Sequence, residues 1–169
     1  MLMPSFEGIE VEVGHSDRWD RMCVTFRWTG FEELLPEERF HRLSQVIPAE
    51  FHEKRLRGFV WAELGPQESI EEYLKLPRSE DVGEREKAIC TGLVGARFFE
   101  SLRDAMEPDP TDRCPGDFSL SVAALSAAGL SAAKIRDAKL VFIRHGAFCD
   151  CQVVETVHPL VRQLLVGAA

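Results

Sequence analysis

The sequence predicts an α+β protein, with an antiparallel sheet packed with helices and followed by a helix–helix–strand C-terminal module. Segments 9–13 and 22–28 alternate in polarity with period two, the mark of strands with one face buried. Segment 59–64 is a short, mostly apolar run between Gly58 and Gly65, and many of the remaining apolar residues recur at helical spacing. With 169 residues, 45% of them hydrophobic, the chain can bury a sizeable core in one ordinary domain or two small ones.

In Ile9-Glu10-Val11-Glu12-Val13 the apolar and acidic side chains take opposite faces, and Gly14-His15-Ser16-Asp17 reads as a hairpin turn. In the next strand Met22, Val24, Phe26 and Trp28 share one face, and Cys23, Thr25 and Arg27 the other. Pro36-Glu37-Glu38 opens a helix, with proline at its first position and acids at its positive end; Phe40, Leu43 and Ile47 follow as its apolar stripe. A second helix is expected over 49–57, closed by basic residues and Gly58. After strand 59–64 come a short helix over 68–76 and a longer one over 81–106. Gly92 and Gly95 inside the longer helix each cost about 1 kcal/mol relative to alanine, and so point to close packing or a kink.

The segment around Pro108 and Pro110 cannot be helical throughout, so the module boundary is placed there: an N-terminal module 1–106, a linker 107–117 and a C-terminal module 118–169. In the last module, helices are expected over 118–128 and from Ser131 to Arg144-His145, closed by Gly129 and Gly146. A strand over 148–154 and a last apolar turn or helix over 160–166 complete it. Trp19, Trp28 and Trp61, with Phe26 and Phe59, read as core aromatics.

Twenty basic against twenty-eight acidic residues give a net charge of −8. Residues 1–106 hold −7 of it, so the acidic character belongs to the N-terminal module, and a partner steered by charge would be basic. This balance argues against a nucleic-acid surface, which needs clustered cations. The first residues lack the basic start and long apolar run of a signal peptide, no segment has the apolar length of a membrane span, and the cytoplasm is the expected location. Five cysteines, an odd number, fit thiols or a metal site better than a disulfide framework.

The stretch from Cys114 through Val157 carries Cys114, the helix start Phe118-Ser119-Leu120, Gly129-Leu130, and His145-Gly146-Ala147-Phe148-Cys149-Asp150-Cys151-Gln152-Val153-Val154. It resembles the bacterial family catalogued as domain of unknown function 2695, whose members look like a cysteine, two helices and a terminal Gly-x-Cys-Asp-Cys-Glu strand. Gln152 stands where that family usually has glutamate, and Asp117 near a position that is often histidine. The resemblance covers about a quarter of the chain and implies no activity, because the family has none assigned. Over residues 9–76, the order strand, strand, helix, helix, strand, helix, with Phe31, Arg39, His41 and Glu68-Ser69, is similar to the BolA family and more loosely to K-homology-like folds. The cluster-ligating histidine of BolA proteins has no counterpart at Arg57-Gly58-Phe59. A Gly-x-x-Gly nucleic-acid loop is absent as well.

On a regular strand Cys149 and Cys151 project to one side and Asp150 to the other. Cys114 joins the two sulfurs if the helix pair folds back, and His145 or His158 completes a Cys3His zinc shell, so the candidate metal ligands are Cys114, Cys149, Cys151 and His145. A reactive thiol pair and plain buried packing are the other readings of the same residues. None of His15, His41, His52, His145 and His158 shows a spacing such as His-Glu-x-x-His, and His41 and His52 read as solvated helix residues. Acid pairs such as Glu37-Glu38 and Glu71-Glu72 sit at helix starts, where they complement the dipole. No serine lies in a nucleophile elbow, and no glycine-rich phosphate loop follows a strand. The expected function is therefore a non-enzymatic protein-binding or scaffolding module without a cofactor. The alternative is a metal-binding protein, with zinc as the metal, or a thiol-redox protein, using Cys114, Cys149 and Cys151. Another protein is the expected partner; nucleic acid and membrane are not.

Overall fold

Period-two alternation in the first two segments produces a hairpin. In the computed structural model, which describes residues 6–18, 20–48, 59–106 and 116–166, Glu10–Ser16 (β1) pairs antiparallel with Arg21–Arg27 (β2), with Val11 opposite Phe26 and Val13 opposite Val24. β1 takes in Gly14, His15 and Ser16 of the residues expected to turn, so the reversal comes later, before Arg21, and Asp20 takes a left-handed φ of 48°. Val60–Leu64 (β3) lies on the other side of β2 and runs parallel to it, Cys23 facing Val60 and Arg27 facing Leu64. The α+β class is as predicted, but the sheet is mixed, not antiparallel. The segment between β2 and β3 is long enough to carry a helix, and a crossover of that length returns the chain to the starting end of the sheet.

Two compact units divide between Pro77 and Arg78, so the helices over 79–106 belong to the same unit as the C-terminal helices. The compositional boundary at 107–117 lies later, and residues 107–115 are outside those described, as are Trp19, His52, Cys114 and the helix expected over 49–57.

In the N-terminal unit both faces of β2 are covered. Val24 and Phe26 pack with Phe31 and Leu43, the latter from the Pro36–Ser44 helix, and Phe26 meets Trp61 at 5.4 Å between ring centroids. On the opposite face Cys23, Ala62 and Leu64 pack with Tyr73. A buried polar clamp ties the helix to the sheet. Arg39 donates to the carbonyls of Leu34 (2.9 Å) and Glu63 (2.7 Å) and pairs with the Glu68 carboxylate. The Tyr73 hydroxyl donates to the Glu63 carboxylate at 2.6 Å, so the buried acid has a partner, as a buried charge requires.

In the C-terminal unit the long helix expected over 81–106 is broken into three. A 3-10 stretch, Ser79–Arg85, leads into Glu86–Gly95, and Arg97 at φ 52° separates that helix from Phe98–Met106. Ser119–Ala127 and Ala132–Arg144 follow, each closed by a left-handed glycine, Gly129 and Gly146. Phe98 and Phe142 stack at 5.5 Å in a core that includes Leu93, Leu102, Met106, Leu125 and Leu140. Burying each such side chain contributes roughly 1.5–3 kcal/mol, which is what holds these short helices together. Among the described residues no helix is long and apolar enough to cross a membrane.

Candidate functional site

The strand expected over 148–154 does not form. Cys149 is extended, with φ −154° and ψ 165°, and begins a helix. Asp150–Gln152 is its first turn, Val153–Val157 is a π turn, and His158–Val166 is its α-helical remainder. The π turn has a cause in the sequence. Pro159 has no N–H for a helical bond and its ring crowds the carbonyl four residues back, and the backbone relaxes by widening, with His158 N–H donating to Val153. Val153, Val157 and Val161, all fully buried, recur at every fourth residue, a helical stripe that outweighs the strand preference of β-branched residues.

The two cysteine sulfurs nevertheless come together, 3.1 Å apart and partly exposed. Asp150 between them is fully buried and points away, to the start of the Ser119–Ala127 helix. Its carboxylate accepts from the Leu120 amide (2.9 Å), the Ser121 amide (2.9 Å) and the Ser121 hydroxyl (2.5 Å). It thus satisfies amide groups that the helix itself leaves unpaired, in the manner of a cap supplied from a distant segment. Burial pushes the Asp150 carboxyl pKa above its ordinary value, against the lowering by the Ser121 and Leu120 hydrogen bonds. The Asp150 amide donates to the Asp117 carbonyl at 2.9 Å, and Phe148 N–H donates to the Gln152 side chain at 2.7 Å. Both flanks of the pair are therefore held.

His145, the predicted fourth metal ligand, has its Nε2 against the Glu86 carboxylate, which also takes the Arg144 guanidinium at 3.1 Å. His158 stacks on Phe99 at 4.6 Å and meets Arg103 through Nδ1 at 3.1 Å. Burial lowers its pKa, and Arg162 and Arg103 lower it further. Among the described residues no three His, Cys, Asp or Glu side chains are grouped to hold a metal ion. A structural zinc takes four ligands, and of the predicted set only the Cys149 and Cys151 sulfurs are brought together; Cys114 lies outside the described residues. Cys90 is fully buried, and burial with the nearby Glu86 carboxylate pushes its thiol up to about 11.

The N-terminal unit offers a different kind of site. β1 is one of the two edge strands, flanked on one side by β2 and on the other by no strand among the described residues. Val11 and Val13 share the face of Phe26 and Val24 but remain 55% and 61% exposed. Glu10 and Glu12 take the other face, and Glu12 lines an open depression of about 660 Å³ that includes Gly14, Cys23, Thr25 and Ile70. An apolar groove of about 410 Å³ in the C-terminal unit, floored by Ile89, Gly92, Leu93 and Leu130, has the Arg85–Asp137 ion pair on its rim. Comparison with family models, curated proteins and solved structures finds no match. The side chains alone carry the functional argument.

Proposed function

We propose that this protein is a non-enzymatic protein-binding module that engages its partner along the outer edge of β1. The observation that carries the reading is the exposure of Val11 and Val13 on an edge strand of seven residues. Natural edge strands are usually kept short or guarded by lysine, proline or a bulge, because their outward N–H and C=O groups template further pairing. β1 contains neither lysine nor proline. Its charges are Glu10 and Glu12, which repel a second copy of the same acidic strand and favour an extended segment with alternating apolar and basic residues. The backbone would supply affinity, the valines would bury apolar area, and the acids would select the partner by charge.

The test compares proteins retained from source-cell extract by the immobilised wild-type chain and by the double variant Val11→Lys, Val13→Lys. Both positions are exposed, so the variant folds, and it installs the usual guard. The reading predicts a protein retained by the wild type and lost with the variant. The same proteins on both columns would contradict it.

A further inference from the structure

We propose that Cys149 and Cys151 form a thiol–disulfide exchange site, a dithiol that closes reversibly to an intramolecular disulfide at the expense of a low-molecular-weight disulfide. This is independent of binding at β1. The sulfurs already lie 3.1 Å apart, about 1 Å beyond the bonded distance of ~2.05 Å, and so are in contact before any bond forms. Both residues are partly exposed and within reach of a small reagent, whereas Cys23 and Cys90 are buried.

Asp150 makes the pair a unit. It is held by its amide on Asp117 and by its carboxylate on Leu120 and Ser121, so the backbone between the two sulfurs is fixed from both sides. Val153 N–H, donating to the Cys149 carbonyl at 3.1 Å, fixes the next turn. Preorganisation of this kind favours the second, intramolecular step over release of the first adduct. The ring closed by the bond contains a single intervening residue. It therefore constrains the unfolded chain little and belongs to the readily reduced class of disulfide.

The chemistry balances with one named oxidant, glutathione disulfide. One cysteine thiolate attacks a glutathione sulfur, forming a mixed disulfide and releasing the first glutathione thiolate. The other cysteine thiolate then attacks the protein sulfur of that mixed disulfide, forming the Cys149–Cys151 bond and releasing the second glutathione thiolate. The dithiol loses two electrons and two protons, and glutathione disulfide becomes two molecules of glutathione. Dithiothreitol reverses the sequence.

Trypsin places both cysteines in one peptide, 145–162, with no internal lysine or arginine. The full-length protein is equilibrated in glutathione buffers of graded redox ratio, quenched with N-ethylmaleimide and mapped by mass spectrometry, with and without prior chelator treatment. The expected result is a redox-dependent form of peptide 145–162 that lacks two hydrogens, carries no maleimide and regains two maleimide-reactive thiols after dithiothreitol. Cys149→Ser and Cys151→Ser should each stop at the mixed disulfide with glutathione. A disulfide that links Cys114 to either residue would overturn the proposal. So would thiols that stay reduced and alkylatable throughout the series, or thiols protected from alkylation until a chelator is added, which would mark a metal site instead.

Discussion

The Asp150 carboxylate and Ser121 are joined twice, through the Ser121 amide at 2.9 Å and its hydroxyl at 2.5 Å. A residue between two cysteines thereby caps the distant Ser119–Ala127 helix, and the corner that presents the sulfurs is part of the C-terminal core. Asp150→Ala leaves two helix-start amides and a buried hydroxyl without their acceptor, and should destabilise the protein by about 3 kcal/mol. Ser121→Ala removes one donor and should cost about 1 kcal/mol. Urea unfolding monitored by circular dichroism checks both values, and equal effects would contradict the capping role.

The break between the Glu86–Gly95 and Phe98–Met106 helices rests on Arg97 at φ 52°, an exposed residue in a conformation that suits glycine. Arg97→Gly should raise stability by about 0.5–1 kcal/mol. Gly92, whose added Cβ would meet nothing within 4 Å, should accept alanine with a gain of about 1 kcal/mol in the same helix. Thermal melts of the two single variants and the double variant measure both gains. A loss with Gly92→Ala would mean that the glycine serves the groove it lines.

In the N-terminal unit the Arg39 guanidinium bridges the Glu63 carbonyl and the Glu68 carboxylate while almost fully buried. Arg39→Leu strands buried acceptors and should cost about 3–5 kcal/mol. Tyr73→Phe removes one hydrogen bond to the Glu63 carboxylate and should cost about 1 kcal/mol by chemical unfolding. A neutral Arg39→Leu would show that the clamp adds nothing to stability.

His158 makes the C-terminal unit sensitive to acid. Its folded pKa lies below the ordinary 6.5, first because the ring is buried and then because Arg162 and Arg103 face it; Glu100 opposes them weakly. The unfolded chain therefore binds this proton more readily than the folded one. The stability contributed by the neutral ring is full above 6.5 and is lost as pH falls from there through the folded pKa. NMR titration of His158 should give a midpoint below 6.5. Stability should fall less between about pH 7.5 and about pH 5 in His158→Gln than in the wild type.

The three strands were legible because period-two alternation and flanking glycines are local signals, and Pro36, Gly129 and Gly146 mark helix ends by their own backbone restrictions. The direction of β3 was not legible, since nothing in 59–64 encodes which end of β2 it joins. The segment 148–154 was misread for a different reason. Cysteine is an unusual helix cap and the valines favour strands, yet Val153, Val157 and Val161 already spelled a helical stripe, and the Gln152 side chain accepts from the Phe148 N–H just ahead of the cap. Predicting both sulfurs on one side of the chain survives that error, because they meet across the first helical turn. The Glu63 and Asp150 partnerships depend on residues distant in sequence, and only the fold reveals them.

Binding at β1 is tested most directly by amide NMR of the full chain titrated at low salt with a terminally blocked peptide of alternating lysine and valine. The predicted result is shift changes and slowed hydrogen exchange centred on residues 10–16. They should weaken as salt shortens the screening length from ~10 Å at 0.1 M, and vanish for a peptide with the same residues in separate blocks. Unchanged amides over 10–16, or an equal response to the block peptide, would contradict it.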